Sequence, residues 1–283
     1  MKDIIQRKLD SYKARTEQDE ENALKEITQE VCLYSLAKSG FFEKAAFQGG
    51  TCLRIVYGLD RFSEDLDFAL MKPDKNFELA PYLKKTSDLM EAYGYGMEVA
   101  GKESADDSVK TRFLKDDSIK KIVTFKHLSD VRKKINIKVE LDSNPPLFAT
   151  DEPKFLDFPT DYSIRCHDPG SLFAGKIHAL LCRNFIKGRD WYDFNWYIAE
   201  KTAPNYELLK AALYQQGPWK DQKLSINREW LVGALTDKIQ TIPWKQTIED
   251  VSKFLRPEKR QEVEGLWSVD FFLSKTKKLV NKS

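Results

Sequence analysis

The stretch that decides the fold of this chain is residues 47–68, FQGGTCLRIVYGLDRFSEDLDF. Gly49 and Gly50 predict a tight turn that glycine enters without strain, and Thr51 opens a predicted helix that Gly58 ends. The free N–H groups and the positive dipole end at the start of such a helix favour an anion. The glycine turn therefore predicts a phosphate-binding site.

Two aspartates follow on a predicted strand. Asp65 and Asp67 are separated by one residue, so on a strand their carboxylates project from the same face. Two adjacent carboxylates repel each other unless one is protonated or a cation or strong donor lies between them. Mg²⁺ commonly takes one or two carboxylates and completes its shell with phosphate oxygens. The glycine turn and the aspartate pair together predict one metal–nucleotide site.

The order of these residues resembles the opening motif of the AbiEii family of nucleotidyltransferase toxins, which is similar to the polymerase-β-like nucleotidyltransferases. That superfamily pattern is an apolar residue, Gly-Gly or Gly-Ser, a short helix, and Asp-x-Asp on a strand. Four residues match it: Gly49, Gly50, Asp65 and Asp67. The interval between the two halves is slightly longer than is usual in the superfamily. Three residues in that interval resemble the toxin branch: Arg54, Arg61 and Ser63.

Length and composition indicate a soluble globular protein. The chain has 283 residues, of which 41% are hydrophobic and 32% charged, enough for one large or two modest domains. No apolar run approaches the roughly 20 residues of a membrane span, and the first residues lack the apolar core of a secretion signal. We therefore expect a cytoplasmic protein. Its net charge of +2 means that nucleic-acid binding would depend on a local basic patch.

The cysteines and histidines do not form a zinc motif. The cysteines are scattered without a Cys-x-x-Cys pair, and the three histidines complete no zinc pattern with them. We predict buried free thiols and no zinc. The cysteines are Cys32, Cys52, Cys166 and Cys182.

Patterns elsewhere in the first half predict both helices and strands. Helical spacing predicts helices over 1–40 and 77–93, whereas the charged stretch 101–118 is expected to be a loop. Strands are predicted over 122–128 and 135–142, the second because apolar and polar residues alternate without fault.

Polymerase-β-like sites use a third carboxylate from a neighbouring strand, so the resemblance directs attention to the polar face of 135–142. That face offers Glu140 and Asp142. We favour Glu140, which lies in the middle of the strand, because Asp142 precedes a Ser-Asn-Pro-Pro sequence where an aspartate commonly starts a turn. The alternative is that Glu140 simply belongs to a solvent-facing polar face.

The composition changes after Pro145 and Pro146, and we interpret 145–165 as the crossing into a second region. All six tryptophans lie between residues 191 and 267, and the patterns become helical. Helices are predicted over 171–186, 190–200, 205–216, 227–240, 246–255 and 259–280. The predicted fold class is α+β: a polymerase-β-like nucleotidyltransferase domain with a small mixed sheet over 1–160, then a helical domain over 161–283.

Two cations lie on the first of these helices. Asp168 and Pro169 supply a cap and the proline favoured at the first helical position. At about 100° per residue, Lys176 and Arg183 lie within about 20° of each other on a largely apolar helix. Lysine and arginine are seldom buried without a partner, so these two either reach solvent or face an anionic pocket. We favour the pocket, with a triphosphate as the anion.

The next segment carries two aspartates. Asp190 is placed to cap the following helix, and Asp193 lies one turn further on, where it can pair with Arg189. The pattern K-x-x-A-x-x-x-R followed by RDWYDF resembles the later AbiEii motifs, in which a lysine and an aspartate join the active site. That resemblance assigns Lys176 to the site and leaves the aspartate open between Asp190 and Asp193, of which we favour Asp193.

These assignments together predict nucleotidyl transfer, an in-line displacement at the α-phosphorus. Glu140 would either complete the metal shell or act as general base. The predicted catalytic residues are Asp65, Asp67, Glu140, Lys176 and Asp193, of which the first three would bind Mg²⁺ or Mn²⁺. The predicted nucleotide contacts are Gly49, Gly50, Thr51, Arg61, Ser63, Lys176 and Arg183. The predicted RNA contacts are Lys187 and Arg189, which flank Gly188.

The resemblance implies a toxin of a toxin–antitoxin or phage-defence pair that adds nucleotides from an NTP to the 3′ end of tRNA. Its antitoxin would be a separately encoded protein. The alternative is the same chemistry on a protein or small-molecule acceptor. A non-catalytic nucleotide-binding module is disfavoured, because every predicted catalytic position carries a chemically competent residue.

Overall fold

The structure is a computed structural model of the chain. It describes residues 2–101, 108–116, 118–119, 123–129 and 134–280. The chain forms two compact units, each of which is interrupted in sequence. The first comprises Met1–Gly58, Phe62–Pro145 and Glu152–Cys166, and the second comprises Leu59–Arg61, Pro146–Asp151 and His167–Ser283.

Within the described residues, seven strands form one mixed sheet. They are β1 (Ala45–Gln48), β2 (Asp65–Leu70), β3 (Glu98–Ala100), β4 (Val109–Asp116), β5 (Ile135–Asp142), β6 (Asp151–Leu156) and β7 (Tyr162–His167). The order across the sheet is β3-β4-β5-β2-β1-β7-β6. β2 runs antiparallel to β1 and parallel to β5, so the strand that carries Asp65 and Asp67 lies in the middle of the sheet.

The described part of the first unit also contains four α-helices: α1 (Lys2–Ser11), α2 (Glu17–Lys38), α3 (Gly49–Tyr57) and α4 (Ala80–Met90). The single helix predicted over 1–40 is therefore two helices. The break occurs because Thr16 caps α2, its hydroxyl accepting a hydrogen bond from the Asp19 N–H at 3.1 Å. Gly40 follows α2 in the left-handed conformation, with φ of 83°, which confirms the predicted stop.

Two stretches between α4 and β5 differ from the prediction. Residues 101–118 contain β4, which pairs with β5 along its whole length. The alternation of β4 is hard to read in the sequence because Lys110 and Asp116 occupy buried positions, where apolar residues are expected. Residues 123–128 do not form the strand predicted over 122–128, and residue 122 lies outside the described residues.

The stretch interpreted as a crossing between domains also adds to the sheet. It contains β6 and most of β7, and β7 pairs in parallel with β1 at Cys166 and Phe47. Pro153 in β6 argues against a central strand, because proline cannot donate a ladder hydrogen bond. β6 is an edge strand, where proline is tolerated.

The second unit is helical after β7, as predicted. Its described helices are α5 (Pro169–Cys182), α6 (Gly188–Ala199), α7 (Tyr206–Gln215), α8 (Arg228–Gln240), α9 (Trp244–Ser252), α10 (Pro257–Leu266) and α11 (Val269–Thr276). Asp168 caps α5 through the Ser171 N–H at 2.7 Å, which confirms the predicted start. The helix predicted over 259–280 is two helices, because Ser268 caps a new one through the Phe271 N–H.

Three of the six tryptophans pack around one phenylalanine in the second unit. Phe272 is fully buried, and the Trp244 ring stacks on it with centroids 4.3 Å apart. Trp191 and Trp267 meet the same phenylalanine edge-on, with centroids 5.2 and 5.1 Å away. Stacked and edge-to-face pairs add about 0.5–1.5 kcal/mol each beyond burial, so this group holds α6, α9 and α11 together.

The structure can be compared with the predictions about membrane spans and cysteines. Their helices include none that is long and apolar enough to cross a membrane. Cys32, Cys52 and Cys166 are buried free thiols, whereas Cys182 is half-buried.

Candidate active site

The first candidate cluster begins where β1 passes into α3. α3 starts at Gly49, and its N-cap residue, Gln48, makes no side-chain cap hydrogen bond. The first N–H groups of an α-helix have no partner within the helix, so this end presents donors and positive partial charge. Gly58, with φ of 79°, ends the helix as predicted. The start of α3 therefore has the character of an anion-binding turn.

Gly49 is required at this turn for two independent reasons. Its φ of 78° belongs to the left-handed region that favours glycine. A Cβ atom at this position would lie 2.2 Å from Oδ2 of Asp67, closer than atoms can approach. The turn and the Asp67 carboxylate are therefore in direct contact, and a larger residue at position 49 would displace that carboxylate.

Asp65, Asp67 and Glu140 share one face of the sheet. In the parallel pairing of β2 with β5, Asp67 is the register partner of Glu140, and Asp65 is the partner of Lys138. Register partners, and residues two apart on one strand, carry their side chains on the same face. Three carboxylates therefore surround one lysine.

The pKa of Lys138 shows that this face of the sheet is negatively charged. Its Nζ lies 2.8 Å from Oε1 of Glu140. Burial lowers the pKa of Lys138, but Glu140, Asp65 and Asp67 outweigh burial and raise the pKa above its usual value. A cation is therefore stabilised here. Lys138 is missing from the predicted site residues, although its place on the polar face of 135–142 is a signal that could have found it.

The donor set fits a hard divalent cation. No three Asp, Glu, His or Cys side chains in the described parts of the chain converge into a ready-made metal cage. Mg²⁺ seldom needs such a cage, since one or two carboxylates suffice when phosphate oxygens and water supply the other ligands. Asp65 and Asp67 offer those carboxylates beside the uncapped start of α3. The role of Glu140 as a third ligand stays a prediction; Lys138 and, at 3.3 Å, the Thr111 hydroxyl contact its carboxylate.

Thr51 was predicted to contact the nucleotide, but its hydroxyl is engaged within the protein. Its side chain is fully buried, and Oγ1 donates to the backbone carbonyl of Asp65. The hydroxyl therefore joins α3 to β2, and the Thr51 N–H alone stays a candidate for contact with an anion. The predicted nucleotide contact of Ser63 stays a prediction.

The choice of Glu140 over Asp142 rested on the expectation that Asp142 starts a turn. Oδ1 of Asp142 accepts a hydrogen bond from the Asn144 N–H at 2.9 Å, which confirms that expectation.

The second candidate cluster lies in the second unit, between α5 and α6. Nζ of Lys176 is 2.6 Å from Oδ1 of Asp190 and 2.8 Å from Oδ2 of Asp193. Arg61 binds Asp193 through Nε at 2.6 Å and Nη2 at 2.7 Å. The side chain of Asp193 is 0% exposed and that of Asp190 is 4% exposed. Such buried ions persist because opposite charges and hydrogen bonds satisfy them.

Both Lys176 and Asp190 are charged at neutral pH. Burial lowers the pKa of Lys176, but Asp190 and Asp193 raise it above its usual value. Burial alone would raise the pKa of Asp190, whereas the charges of Lys176, Arg183 and Lys187 lower it to about 2.

Arg183 is not on the helical face of Lys176, because α5 ends at Cys182 and Arg183 has an extended backbone with ψ of 136°. That part of the prediction is wrong. The two side chains meet nevertheless, since both bind the carboxylate of Asp190. The anion that they face in this structure is Asp190, and their contact with a triphosphate stays a prediction.

Asp190 does not cap α6, because the helix begins two residues earlier and Lys187 occupies the N-cap position. Asp193 pairs with Arg61 and Lys176, where the sequence suggested Arg189. Both aspartates therefore serve as partners of buried cations.

Arg61 differs most from its prediction. We expected it to contact the nucleotide, but it is 1% exposed and its guanidinium is bound to Asp193. It therefore stabilises the buried cluster. No local pattern reveals this pairing, because the two residues are 132 positions apart.

The predicted RNA contacts differ from each other in their surroundings. Arg189 packs its guanidinium over the ring of Phe254, 4.1 Å from the centroid. Lys187 is half-buried, and its contact with RNA stays a prediction.

The strand that carries Asp65 and Asp67, the glycine turn and the helical second unit match the nucleotidyltransferase pattern that the sequence predicted. The family model described as "Nucleotidyl transferase AbiEii toxin, Type IV TA system" matches residues 31–275. The chain therefore belongs to the AbiEii family of nucleotidyltransferase toxins. The resemblance stated from the sequence is confirmed, and the protein is a nucleotidyltransferase of the toxin class.

Solved structures support the α+β nucleotidyltransferase fold. MenT4, a nucleotidyltransferase toxin from Mycobacterium tuberculosis, is 16% identical, with a TM-score of 0.55 over 100% of this chain and 90% of that one. JHP933 from Helicobacter pylori is 17% identical, with a TM-score of 0.50 over 89% of this chain and 94% of that one. A comparison with proteins of curated function gave no match.

Proposed function

We propose that this toxin transfers a nucleotidyl group from an NTP to an RNA acceptor, the 3′ end of tRNA, in the cytoplasm. The observation that carries the proposal is the contact between Gly49 and Asp67, where a Cβ atom would lie 2.2 Å from the carboxylate oxygen. That contact joins a phosphate-binding turn to an aspartate pair, which is the combination that metal-dependent nucleotidyl transfer requires.

The start of α3 binds phosphate. The N–H groups of Gly49, Gly50 and Thr51 begin an uncapped helix, so they donate to phosphate oxygens while the helix dipole favours the negative charge. Glycine at the first position lets the phosphates approach the backbone closely. These contacts orient the α-phosphorus for in-line attack.

Asp65 and Asp67, with Glu140 as the third carboxylate, would hold Mg²⁺ or Mn²⁺. When bound, such a metal neutralises charge on the attacking and leaving oxygens. In the transfer, the acceptor hydroxyl oxygen forms a bond to the α-phosphorus and pyrophosphate leaves. Glu140 accepts the hydroxyl proton on a carboxylate oxygen if it is not a metal ligand.

Lys176 stabilises charge on the phosphates, as the resemblance implies. Its Nζ is held by two carboxylates, so its position is set before any ligand binds. Preorganised charge of this kind costs little reorganisation during the reaction. Asp190 and Asp193 act as positioning residues in this proposal.

Radiolabelled nucleotide tests the proposal directly. Each NTP, labelled on the α-phosphate, is incubated with purified protein and cell extract, with and without EDTA. Metal-dependent label in tRNA is the expected result, and Asp67→Ala should give none. Label confined to protein or small molecules would overturn the RNA acceptor, and no label with any NTP would overturn transfer.

Because the family is one of toxins, we also expect an effect on cell growth. Expression of the parent chain should arrest growth, co-expression of a separately encoded antitoxin should restore it, and Asp67→Ala should be harmless at the same protein level. Growth arrest by Asp67→Ala would separate toxicity from nucleotidyl transfer.

A further inference from the structure

A cavity of about 380 Å³ lies in the second unit, next to the cluster of Lys176 and Asp190. The end of α5 and the link to α6 line one side, and the end of α8 with the following residues lines the other. Its volume falls within the roughly 300–1,000 Å³ of small-ligand sites. The sequence pattern does not predict this cavity, because its two sides are more than forty residues apart along the chain.

The charge of the cavity is positive. Arg183, Lys187 and Lys238 line it, and Asp190 is the single carboxylate among its described lining residues. Oδ1 of Asp190 binds Lys176 at 2.6 Å and Oδ2 binds Arg183, so both oxygens are already engaged. The lining therefore has a surplus of cations for which an anionic ligand would be the complement.

Lys187 shows the effect of this surplus. Burial lowers its pKa, and the neighbouring charges of Arg183, Arg189 and Lys176 lower it further, against the attraction of Asp190. Lys238 sits across the cavity, with its Nζ donating to the backbone carbonyl of Arg183 at 3.0 Å. An ammonium has three N–H donors, so this bond leaves Lys238 able to donate to a ligand as well.

An aromatic ring completes the cavity. Phe185 lines it with 66% of its surface exposed, and the Arg183 guanidinium lies 5.6 Å from the ring centroid. An exposed phenylalanine beside lysines is the arrangement on which single-stranded nucleic acids stack their bases while cations contact the backbone.

We propose that this cavity binds the terminal nucleotide of a single-stranded RNA end, with the base on Phe185 and phosphodiester oxygens at Lys187 and Lys238. The inference rests on the proposed function, since it gives the RNA acceptor a place to bind. A metal-bound triphosphate fits less well, because the lining supplies a single carboxylate, Asp190, whose charge Lys176 and Arg183 already neutralise. Arg189, the other predicted RNA contact, does not line the cavity.

Chemical cross-linking through the terminal ribose of an RNA tests whether the RNA end binds in the cavity. Periodate converts the terminal ribose of an RNA to a dialdehyde, which condenses with a lysine amine and releases water; cyanoborohydride then reduces the imine to a stable amine. Short single-stranded RNA treated in this way should label Lys187 or Lys238, as located by peptide mass spectrometry. Unmodified RNA should compete, and periodate-oxidised NTP should label these lysines much less.

Substitutions of single residues test whether the terminal base stacks on Phe185 and whether Lys187 contacts the RNA backbone. Phe185→Ala should weaken binding of the short RNA by roughly 5- to 150-fold, the range for loss of one stacked base, and Phe185→Tyr should restore it. Phe155→Ala is the matched control, because Phe155 is 83% exposed and does not line the cavity. Lys187→Gln should reduce both affinity and its dependence on salt, whereas the exposed Lys220→Gln should change neither.

The outcomes separate this inference from the proposed function. Labelling at other lysines, preferential labelling of the cavity by oxidised NTP, or equal RNA affinity of Phe185→Ala and the parent would overturn the cavity assignment, even if tRNA is modified. Labelling at Lys187 or Lys238 that depends on Phe185 would support it, even if the extract assay shows no transfer to RNA.

Discussion

Arg61 and Asp193 form a two-point ion pair in the interior of the second unit. Nε and Nη2 of the arginine lie 2.6 and 2.7 Å from the two carboxylate oxygens, and the side chains are 2% and 0% exposed. Oδ2 of Asp193 also accepts from Lys176 at 2.8 Å. Arg61 thereby fixes the carboxylate that orients Lys176.

Breaking this pair on one side should be costly. Arg61→Ala or Asp193→Ala removes the two-point partner of a buried charge, and we expect a loss of about 3–5 kcal/mol in the free energy of unfolding. The double variant Arg61→Met/Asp193→Leu should recover much of that loss, because it removes both charges. Urea denaturation measures all three.

The exposed ion pair of Lys84 and Asp88 is the control for the Arg61 and Asp193 variants. Its side chains are 77% and 59% exposed and 3.4 Å apart, so alanine at either position should cost less than about 1 kcal/mol. Equal losses at the buried and exposed pairs would contradict a stabilising role for Arg61.

Gly49→Ala and Gly58→Ala form a matched pair of substitutions. Both glycines have nearly the same φ, 78° and 79°, so alanine should carry a similar backbone strain at both sites. A Cβ at position 58 meets nothing within 4 Å, whereas one at position 49 collides with Asp67. We expect Gly49→Ala to lose more stability than Gly58→Ala because of this collision, and Gly49→Ala alone to lose nucleotide transfer. Equal transfer rates in the two would refute the contact as the basis of the site.

Asp65→Ala or Asp67→Ala should abolish nucleotide transfer and growth inhibition without unfolding the protein. The reason is loss of a metal ligand, since each removes one of two carboxylates on the β2 face. Transfer assays together with circular dichroism measure this, and Asp88→Ala removes an exposed carboxylate for comparison. Undiminished transfer by a well-folded variant would exclude the aspartate pair from the active site.

Lys176→Ala should slow transfer by roughly 10- to 1000-fold, the range expected for one electrostatic contact in such sites. It should also lower stability, because Asp190 and Asp193 lose the cation that they share. Steady-state kinetics at a temperature well below the unfolding midpoint of the variant separates the slower transfer from the loss of stability. A variant that is less stable yet transfers nucleotide at the parent rate would reduce Lys176 to a structural residue.

Asp190 should make stability depend on pH in the acid range. Its pKa is about 2 in the folded chain against a usual 3.8, so the folded state binds this proton more weakly than the unfolded state. The resulting stabilisation, about 2 kcal/mol, is present above about pH 4 and is lost as the pH falls toward 2. Asp190→Asn should be less stable at pH 7 and lose less stability between pH 4 and 2. Parallel curves for variant and parent would contradict the shift.

Local pattern was sufficient for the parts of the site that are close in sequence. The turn at Gly49, the helix that Gly58 ends and the Asp65–Asp67 pair could all be predicted, because turns, caps and strand alternation depend on residues a few positions apart. The same is true of the Asp168 cap and of the turn at Asp142. The glycine turn and the aspartate pair also carried the resemblance to the AbiEii family, which the family model confirms.

The strand β4 was predicted to be a loop because polar residues occupy two of its buried positions. β4 carries Lys110 and Asp116 inside, and Asp116 is satisfied by the backbone N–H groups of Ser118 and Ile119. A strand whose buried positions are satisfied by such contacts shows no alternation of hydrophobicity, so its pattern is that of a loop.

The partners of the buried charges were beyond any local pattern. The sequence shows that Lys176, Asp190 and Asp193 carry charge near apolar helices, and it suggests a ligand for them. The fold supplies Arg61 from a distant segment and turns Arg183 off the end of α5 onto Asp190, so the charges satisfy one another. Which opposite charge a buried ion meets depends on chain packing, because the cost of burial is met by whichever group the fold brings within hydrogen-bond reach.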